Sequence, residues 1–212
     1  TNGTLGSWNN AGLGHGYYIL RLTVQNGCGV SNSAVQVVFV DQAFQSFELR
    51  APQNGNKLGG FICIDGTVWD QCFSSYTVEY RLLPNGVFAP VDSGTPAYNT
   101  TVINDPLASW NSASLSDGSY ELRVVATDAC GHAASVTRTI TLDNTPPTVE
   151  IELPTRCTAV SGVVEVIGTA SDANRVTWTL QYTGGNQHGW VTIASGNTPV
   201  NGDLLANWNT AG

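Results

Sequence analysis

The sequence predicts an all-β protein: tandem β-sandwich repeats of about 100 residues, one complete and two partial. Three observations carry this. An octapeptide recurs, as LGSWNNAG at 5–12, LASWNSAS at 107–114 and LANWNTAG at 205–212, so Trp8 and Trp110 stand 102 residues apart and Trp110 and Trp208 stand 98 apart. Short runs of alternating or β-branched residues are separated by clusters of Gly, Asn, Asp and Pro. No segment keeps a 3.6-residue apolar period for three turns.

The repeat extends beyond the tryptophans. A gapless shift of 102 places Leu13, Gly16, Tyr18, Leu20, Arg21, Cys28 and Asp41 on Leu115, Gly118, Tyr120, Leu122, Arg123, Cys130 and Asp143. The same shift places Pro52, Gly66, Thr67, Asp70 and Tyr80 on Pro154, Gly168, Thr169, Asp172 and Tyr182. Aromatic character persists where identity does not: Tyr76 meets Trp178 and Phe88 meets Trp190. Residues 1–41 therefore read as the C-terminal half of a unit, 42–144 as a complete unit and 145–212 as an N-terminal half.

Taken in order, Tyr17–Gln25 and Ala34–Val40 are the last two strands of the first partial unit. The complete unit starts with strands at Phe44–Leu49, Phe61–Thr67 and Tyr76–Leu83. A middle region follows, with Phe88–Val91, Thr100–Ile103 and Trp110. The unit closes with Ser119–Thr127 and Val136–Leu142. That is about seven strands in one repeat, the count of a two-sheet sandwich. Within Ser119–Thr127, Tyr120, Leu122, Val124 and Ala126 are expected to face the core, with Glu121 and Arg123 toward water. Leu142-Asp-Asn-Thr-Pro-Pro147 reads as a linker, since two prolines cannot donate to a sheet ladder. In the last partial unit Val163–Gly168 and Val176–Tyr182 read as strands.

Bulk properties narrow the partners. Formal net charge is −8, with one lysine (Lys57) and no basic run, which argues against nucleic acid and anionic membranes. No stretch approaches the ~20 apolar residues of a membrane-spanning helix. Charged residues are 11% of the chain against roughly 25% in an average soluble domain. That surface chemistry suits an extracellular or cell-surface protein.

The pattern GTxSD, W/YxLxY, WxxIxSG, LAxWNT, LxDGxYxLRVxATDxxG and LDNTPP is carried best by residues 107–147 and 165–210. It resembles the tandem immunoglobulin-like repeats of large bacterial surface and secreted proteins, and the resemblance covers almost the whole chain. It implies the sandwich fold firmly. Such repeats serve as stalks, adhesins and spacers beside enzyme domains, so the fold does not fix a role. His15 departs from the pattern, standing where the DGxY turn has Asp117.

Individual residues sort as follows. Trp8, Trp110 and Trp208 are expected to plug sandwich cores, and Tyr18 and Tyr120 occupy a tyrosine-corner position whose hydroxyl bonds nearby backbone. The five cysteines, Cys28, Cys63, Cys72, Cys130 and Cys157, form no CxxC or Cys/His cluster in sequence, which argues against zinc; disulfides are favoured over free thiols, with one cysteine left over. Cys72 and Cys130 fall in loops expected at one end of the sandwich and are the preferred pair. A bond between Cys28 and Cys157 of neighbouring copies would lock a polymer covalently. Asp70, Asp128, Asp143, Asn144 and Asp172 are candidate calcium ligands at loops and junctions, beside the plainer reading as turn residues. Trp69, read as lying in a Gly/Asp-rich loop, is a candidate exposed sugar-stacking platform. Asn2 and Asn99 lie in glycosylation sequons. No catalytic constellation and no other cofactor is expected.

Neither partial unit buries a sandwich core alone. Three completions are compatible with that: covalent continuation in a longer array, head-to-tail completion by the complementary half of another copy, or fold-back within one chain, which the short junctions disfavour. The expected function is a non-enzymatic structural fibre, filament or stalk whose partners are like units. The alternatives are a surface-glycan adhesin and a spacer of a larger secreted enzyme.

Overall fold

The computed structural model describes residues 3–174 and 176–211, and among them every regular element is a β-strand. The chain divides into two compact units, Thr1–Asn144 and Thr145–Gly212.

The first unit opens with an antiparallel hairpin of β1 (Gly16–Gln25) and β2 (Ser31–Val40). Eight strands follow: β3 (Ser46–Ala51), β4 (Lys57–Leu58), β5 (Phe61–Trp69), β6 (Phe73–Leu82), β7 (Ala89–Pro90), β8 (Val102–Asn111), β9 (Gly118–Asp128) and β10 (Ala133–Leu142). They form a three-stranded sheet, β3-β5-β8, and a five-stranded sheet, β4-β10-β9-β6-β7. Residues of both sheets meet in one core, as in a β-sandwich: Leu49, Ile62, Ile64 and Trp110 from the first, Val78, Leu122, Val124 and Ile140 from the second. The alternation of β9 explains its place at the centre. Tyr120, Leu122, Val124 and Ala126 are at most 3% exposed. Between them Glu121 and Arg123 face outward and pair across to Arg81 and Glu79 of β6. The Arg123 guanidinium also lies 3.6 Å from the centre of the Phe88 ring.

Trp110 is 1% exposed, with Tyr80 stacked on it at 4.8 Å and Tyr120 edge-on at 6.2 Å. Gly66 sits where β5 approaches β3 most closely. A Cβ there would stand 2.2 Å from the Glu48 carbonyl oxygen and 2.9 Å from Leu107 Cδ1. Gly168 repeats this in the second unit, 2.2 Å from the Glu150 carbonyl oxygen. Gly66→Ala is therefore expected to push β3 off β5 and to destabilise the unit by about 1–3 kcal/mol. Urea unfolding checks this, and an unshifted midpoint would show that the close approach is not required.

The second unit holds β11 (Thr148–Leu153), β12 (Val163–Ser171), β13 (Trp178–Gly184), β14 (Gln187–Gly196) and β15 (Val200–Asn209). They form the sheet β11-β12-β15 and the hairpin β13-β14. Pairing repeats between units. Thr148↔Ser171 of β11/β12 reproduces Ser46↔Trp69 of β3/β5, with a register shift at the matching place. Val163↔Asn209 of β12/β15 reproduces Phe61↔Asn111 of β5/β8. Among the described residues the second unit has no counterpart of β9 and β10. The β1/β2 hairpin does: its register, Gly16↔Val40 to Gln25↔Ser31, is that of β9/β10, Gly118↔Leu142 to Thr127↔Ala133, displaced by 102.

Several sequence expectations need correction. Val102, Ile103 and Trp110 belong to one strand, β8, with Thr100 and Thr101 outside it; periodicity splits the strand because Asn104 adopts a left-handed φ of 53° and register shifts interrupt the pairing with β5. Trp69 is the last residue of β5, paired with Ser46 and half-buried, and is not an exposed loop platform. The two-residue strand β4 and the strands β14 and β15 were not foreseen.

Candidate functional site

At one end of the β3–β10 sandwich, the β5–β6 and β9–β10 connections lie side by side, and each begins with a buried aspartate. Asp70 Oδ1 accepts the Cys72 N–H at 2.7 Å, and Oδ2 accepts the Gln45 N–H at 3.0 Å. Asp128 Oδ1 accepts the N–H groups of Cys130 and His132, both at 2.8 Å, and Oδ2 lies 2.7 Å from His132 Nδ1. These are Asx turns, in which a carboxylate takes the place of a backbone acceptor two residues on. The Ala129 N–H donates to the Cys72 carbonyl at 2.7 Å and ties the two turns together. Burial pushes the Asp128 carboxyl up, but the bonds from the His132 backbone, the His132 ring and the Cys130 backbone outweigh it and hold the group below the usual carboxylate range.

Asp41, where β2 leads into the sandwich, enters the same place. Its side chain is 1% exposed. His15 Nδ1 lies 3.1 Å from Oδ1 and His132 Nδ1 lies 3.8 Å from Oδ2, but neither is aligned as a hydrogen-bond donor, and neither Asp41 oxygen accepts a hydrogen bond. Donor atoms of Asp41, Cys72 and Cys130 all lie within 4.8 Å of one another, as do those of Asp41, Asp128 and His132. The Cys130 thiol is pushed up to about 11, first by its hydrogen bond with Cys72, then by burial and by the nearby Cys72, Asp41 and Asp128.

The other candidates fall elsewhere. All five cysteines are free thiols, so the expected disulfides are absent from this structure; Cys72 and Cys130 are neighbours without a bond between them. Cys28, Cys63 and Cys157 are exposed singly. Within the first unit the calcium candidates do not gather at one place. Asn144 accepts the Gly60 N–H and donates to the Ser112 and Leu115 carbonyls, at the start of β5, and Asp143 precedes it in the chain. Asp70 follows the far end of β5, roughly 30 Å away along the strand. Asp172 is in the second unit, where it accepts the Asn174 N–H at 2.7 Å. Tyr120 Oη donates to the Ser116 carbonyl at 3.0 Å and Tyr18 Oη to the Gly14 carbonyl at 2.9 Å. Trp8 is 47% exposed beside Tyr18, and Trp208 is half-buried against Tyr182. Asn99 is exposed; Asn2 lies outside the described residues.

The Asp41, His15 and His132 cluster beside the two cysteines is absent from the sequence reading, because its members come from separate stretches. The available signal was the pair of turns D-x-C at 70–72 and D-x-C-x-H at 128–132. No protein-family model matches the chain, and no curated protein is significantly similar to it.

Proposed function

We propose that this chain is a non-enzymatic, extracellular structural protein of tandem immunoglobulin-like sandwiches, and that successive copies complete one another head to tail. In this reading the β1–β2 hairpin of one copy closes the core of the second unit of the next. The observation that carries it is the shared register of β1/β2 and β9/β10, read together with the faces involved.

The second unit has an apolar groove lined by Ile151, Val166, Leu180, Tyr182, Ile193 and Trp208. By the repeat these stand at Leu49, Ile64, Val78, Tyr80, Val91 and Trp110, which all belong to or pack against the core of the first unit. There Tyr120, Leu122, Val124 and Ile140 cover them. The hairpin carries Tyr18, Leu20, Leu22 and Val38 at those places, with Leu20 42% and Leu22 49% exposed. Trp190, 69% exposed, stands at the place of Phe88, and Arg21 stands at the place of Arg123, so the guanidinium–ring contact has both its members. Closing a sheet edge and a core together is strand addition of the kind that builds fibres.

A covalent lock is not part of this reading. Cys157 stands where the first unit has Gly55, whose N–H bonds the Thr139 carbonyl. Cys28 stands at Cys130, beyond the far end of β10. A completed unit would separate the two sulfurs by roughly 20 Å, far beyond disulfide reach. Both oxygens of Asp70 and Oδ1 of Asp128 are spent on backbone N–H groups that shape the two turns, which supports a structural use of these acids.

Sedimentation velocity and negative-stain microscopy of the 212-residue chain test the proposal. The expected result is concentration-dependent growth into beaded fibres without added reductant dependence. A single monomeric species at every concentration would overturn head-to-tail completion.

A further inference from the structure

We propose that Asp41, Cys72 and Cys130 hold a single zinc ion, with the adjacent His132 imidazole as fourth ligand. This goes beyond the structural role and does not depend on assembly, since every ligand lies in the first unit.

The donor set is two sulfurs, a carboxylate and an imidazole. Thiolates select zinc over calcium, which wants six to eight oxygens. Zinc binds sulfur at about 2.3 Å and nitrogen or oxygen at about 2.0–2.2 Å, so a tetrahedral shell places its donors roughly 3.3–3.8 Å apart. The donor atoms of Asp41, Cys72 and Cys130 lie within 4.8 Å of one another, and His132 Nδ1 reaches the site from the Asp41 side, 3.8 Å from Oδ2. The backbone is already fixed. The Cys72 and Cys130 N–H groups are held by Asp70 and Asp128, and the two turns are bonded to each other. His132 Nδ1, 2.7 Å from Asp128 Oδ2, would exchange that contact for the metal on binding.

Asp41 supplies the independent pointer to a cation. A carboxylate 1% exposed and accepting no hydrogen bond, with the His15 and His132 Nδ1 atoms 3.1 and 3.8 Å away but not aligned to donate, is costly unless positive charge sits beside it. A Cys72–Cys130 disulfide would leave that cost in place, whereas a metal ion removes it.

The turns do not need these ligands. The equivalent turns elsewhere in the chain keep the Asx geometry. Asn26 Oδ1 accepts the N–H groups of Cys28 and Val30 at 2.9 and 3.0 Å, and Asp172 Oδ1 accepts that of Asn174. Valine stands there in place of His132 and asparagine in place of Cys72. The full ligand set is thus particular to the complete unit and is not demanded by its fold.

The test is titration of the reduced 212-residue chain with zinc against a chromophoric chelator, with cobalt substitution as the spectroscopic readout. One equivalent is expected to bind, and cobalt is expected to show a thiolate charge-transfer band with intense tetrahedral d–d bands. Cys72→Ser or Cys130→Ser should weaken binding by about 100-fold and remove the thiolate band, and Asp41→Asn by at least about 10-fold. The triple variant Cys28→Ser, Cys63→Ser, Cys157→Ser should bind as the parent does. Circular dichroism of each variant separates lost ligation from lost folding. No zinc uptake by the folded, reduced chain, or uptake unchanged in folded Cys72→Ser, would overturn the proposal.

Discussion

Trp110→Ala is expected to remove most of the stability of the β3–β10 sandwich, at a cost of about 3–5 kcal/mol. The side chain is 1% exposed and is the largest of the fully buried ones. It holds together both sheets, because β8 carries it in one while Tyr80 of β6 and Tyr120 of β9 pack on it from the other. Truncation leaves a cavity that the two tyrosine rings cannot collapse to fill without moving the Tyr120 hydroxyl off the Ser116 carbonyl. A domain of this size is stable by only about 5–15 kcal/mol, so a loss of this size takes a large share of the margin. Trp190→Ala is the matched control: its ring is 69% exposed in a lone chain, and its removal is expected to shift stability there by no more than about 0.5 kcal/mol. Urea unfolding followed by near-UV circular dichroism reads both. Equal midpoint shifts in the two variants would show that Trp110 does not organise the core.

The all-β class and the repeat were legible because both are written locally and redundantly. A period of two in Tyr120, Leu122, Val124 and Ala126 says which face is buried, and the matched spacing of Trp8, Trp110 and Trp208 says that the pattern recurs. Strand limits were less legible where a strand bends. β8 contains Pro106 and a left-handed Asn104, residues that read as loop in isolation, and only its pairing with β5 keeps it extended. Trp69 misled for a similar reason, since Gly66 and Asp70 around it suggested a loop. Gly66 is there for the close approach of β3, and Asp70 is there to bond Cys72 and Gln45.

The side-chain cluster was the least legible part. Asp41 is 31 residues from Cys72 and 91 from His132, so no spacing rule joins them. Adjacency comes from topology: β5 and β9 end at the same end of the sandwich, and the chain enters it there from β2. Cys72 and Cys130 were expected as a disulfide and stand as neighbouring free thiols, and spacing alone could not show that a buried carboxylate accepting no hydrogen bond lies beside them and an imidazole.

Leu20→Asp is expected to abolish assembly while leaving the single chain folded. Leu20 is 42% exposed on the hairpin, so a carboxylate there meets water in the monomer. Its counterpart Leu122 is 0% exposed, so in a completed unit the same carboxylate would be buried without a partner. Completion would bury Tyr18, Leu20, Leu22 and Val38, each apolar side chain contributing about 1.5–3 kcal/mol. Losing one of these and adding a buried charge should weaken association by at least about 100-fold, since each 1.4 kcal/mol is a factor of ten. Two further variants separate specific completion from sticking of apolar surface. Ile19 is 70% exposed and stands where the complete unit carries Glu121, on the outer face, so Ile19→Glu should assemble normally if the hairpin enters the sandwich in register. Aggregation through exposed apolar residues would instead be relieved by it. The Leu20→Asp chain also keeps an intact second unit, so it can accept a hairpin but cannot donate one. Added in small proportion to the parent chain, it should cap growing ends and shorten the fibres, as read by sedimentation and microscopy. Assembly of Leu20→Asp equal to that of the parent, or fibres of unchanged length in the mixture, would rule out the hairpin as the element that closes the next core.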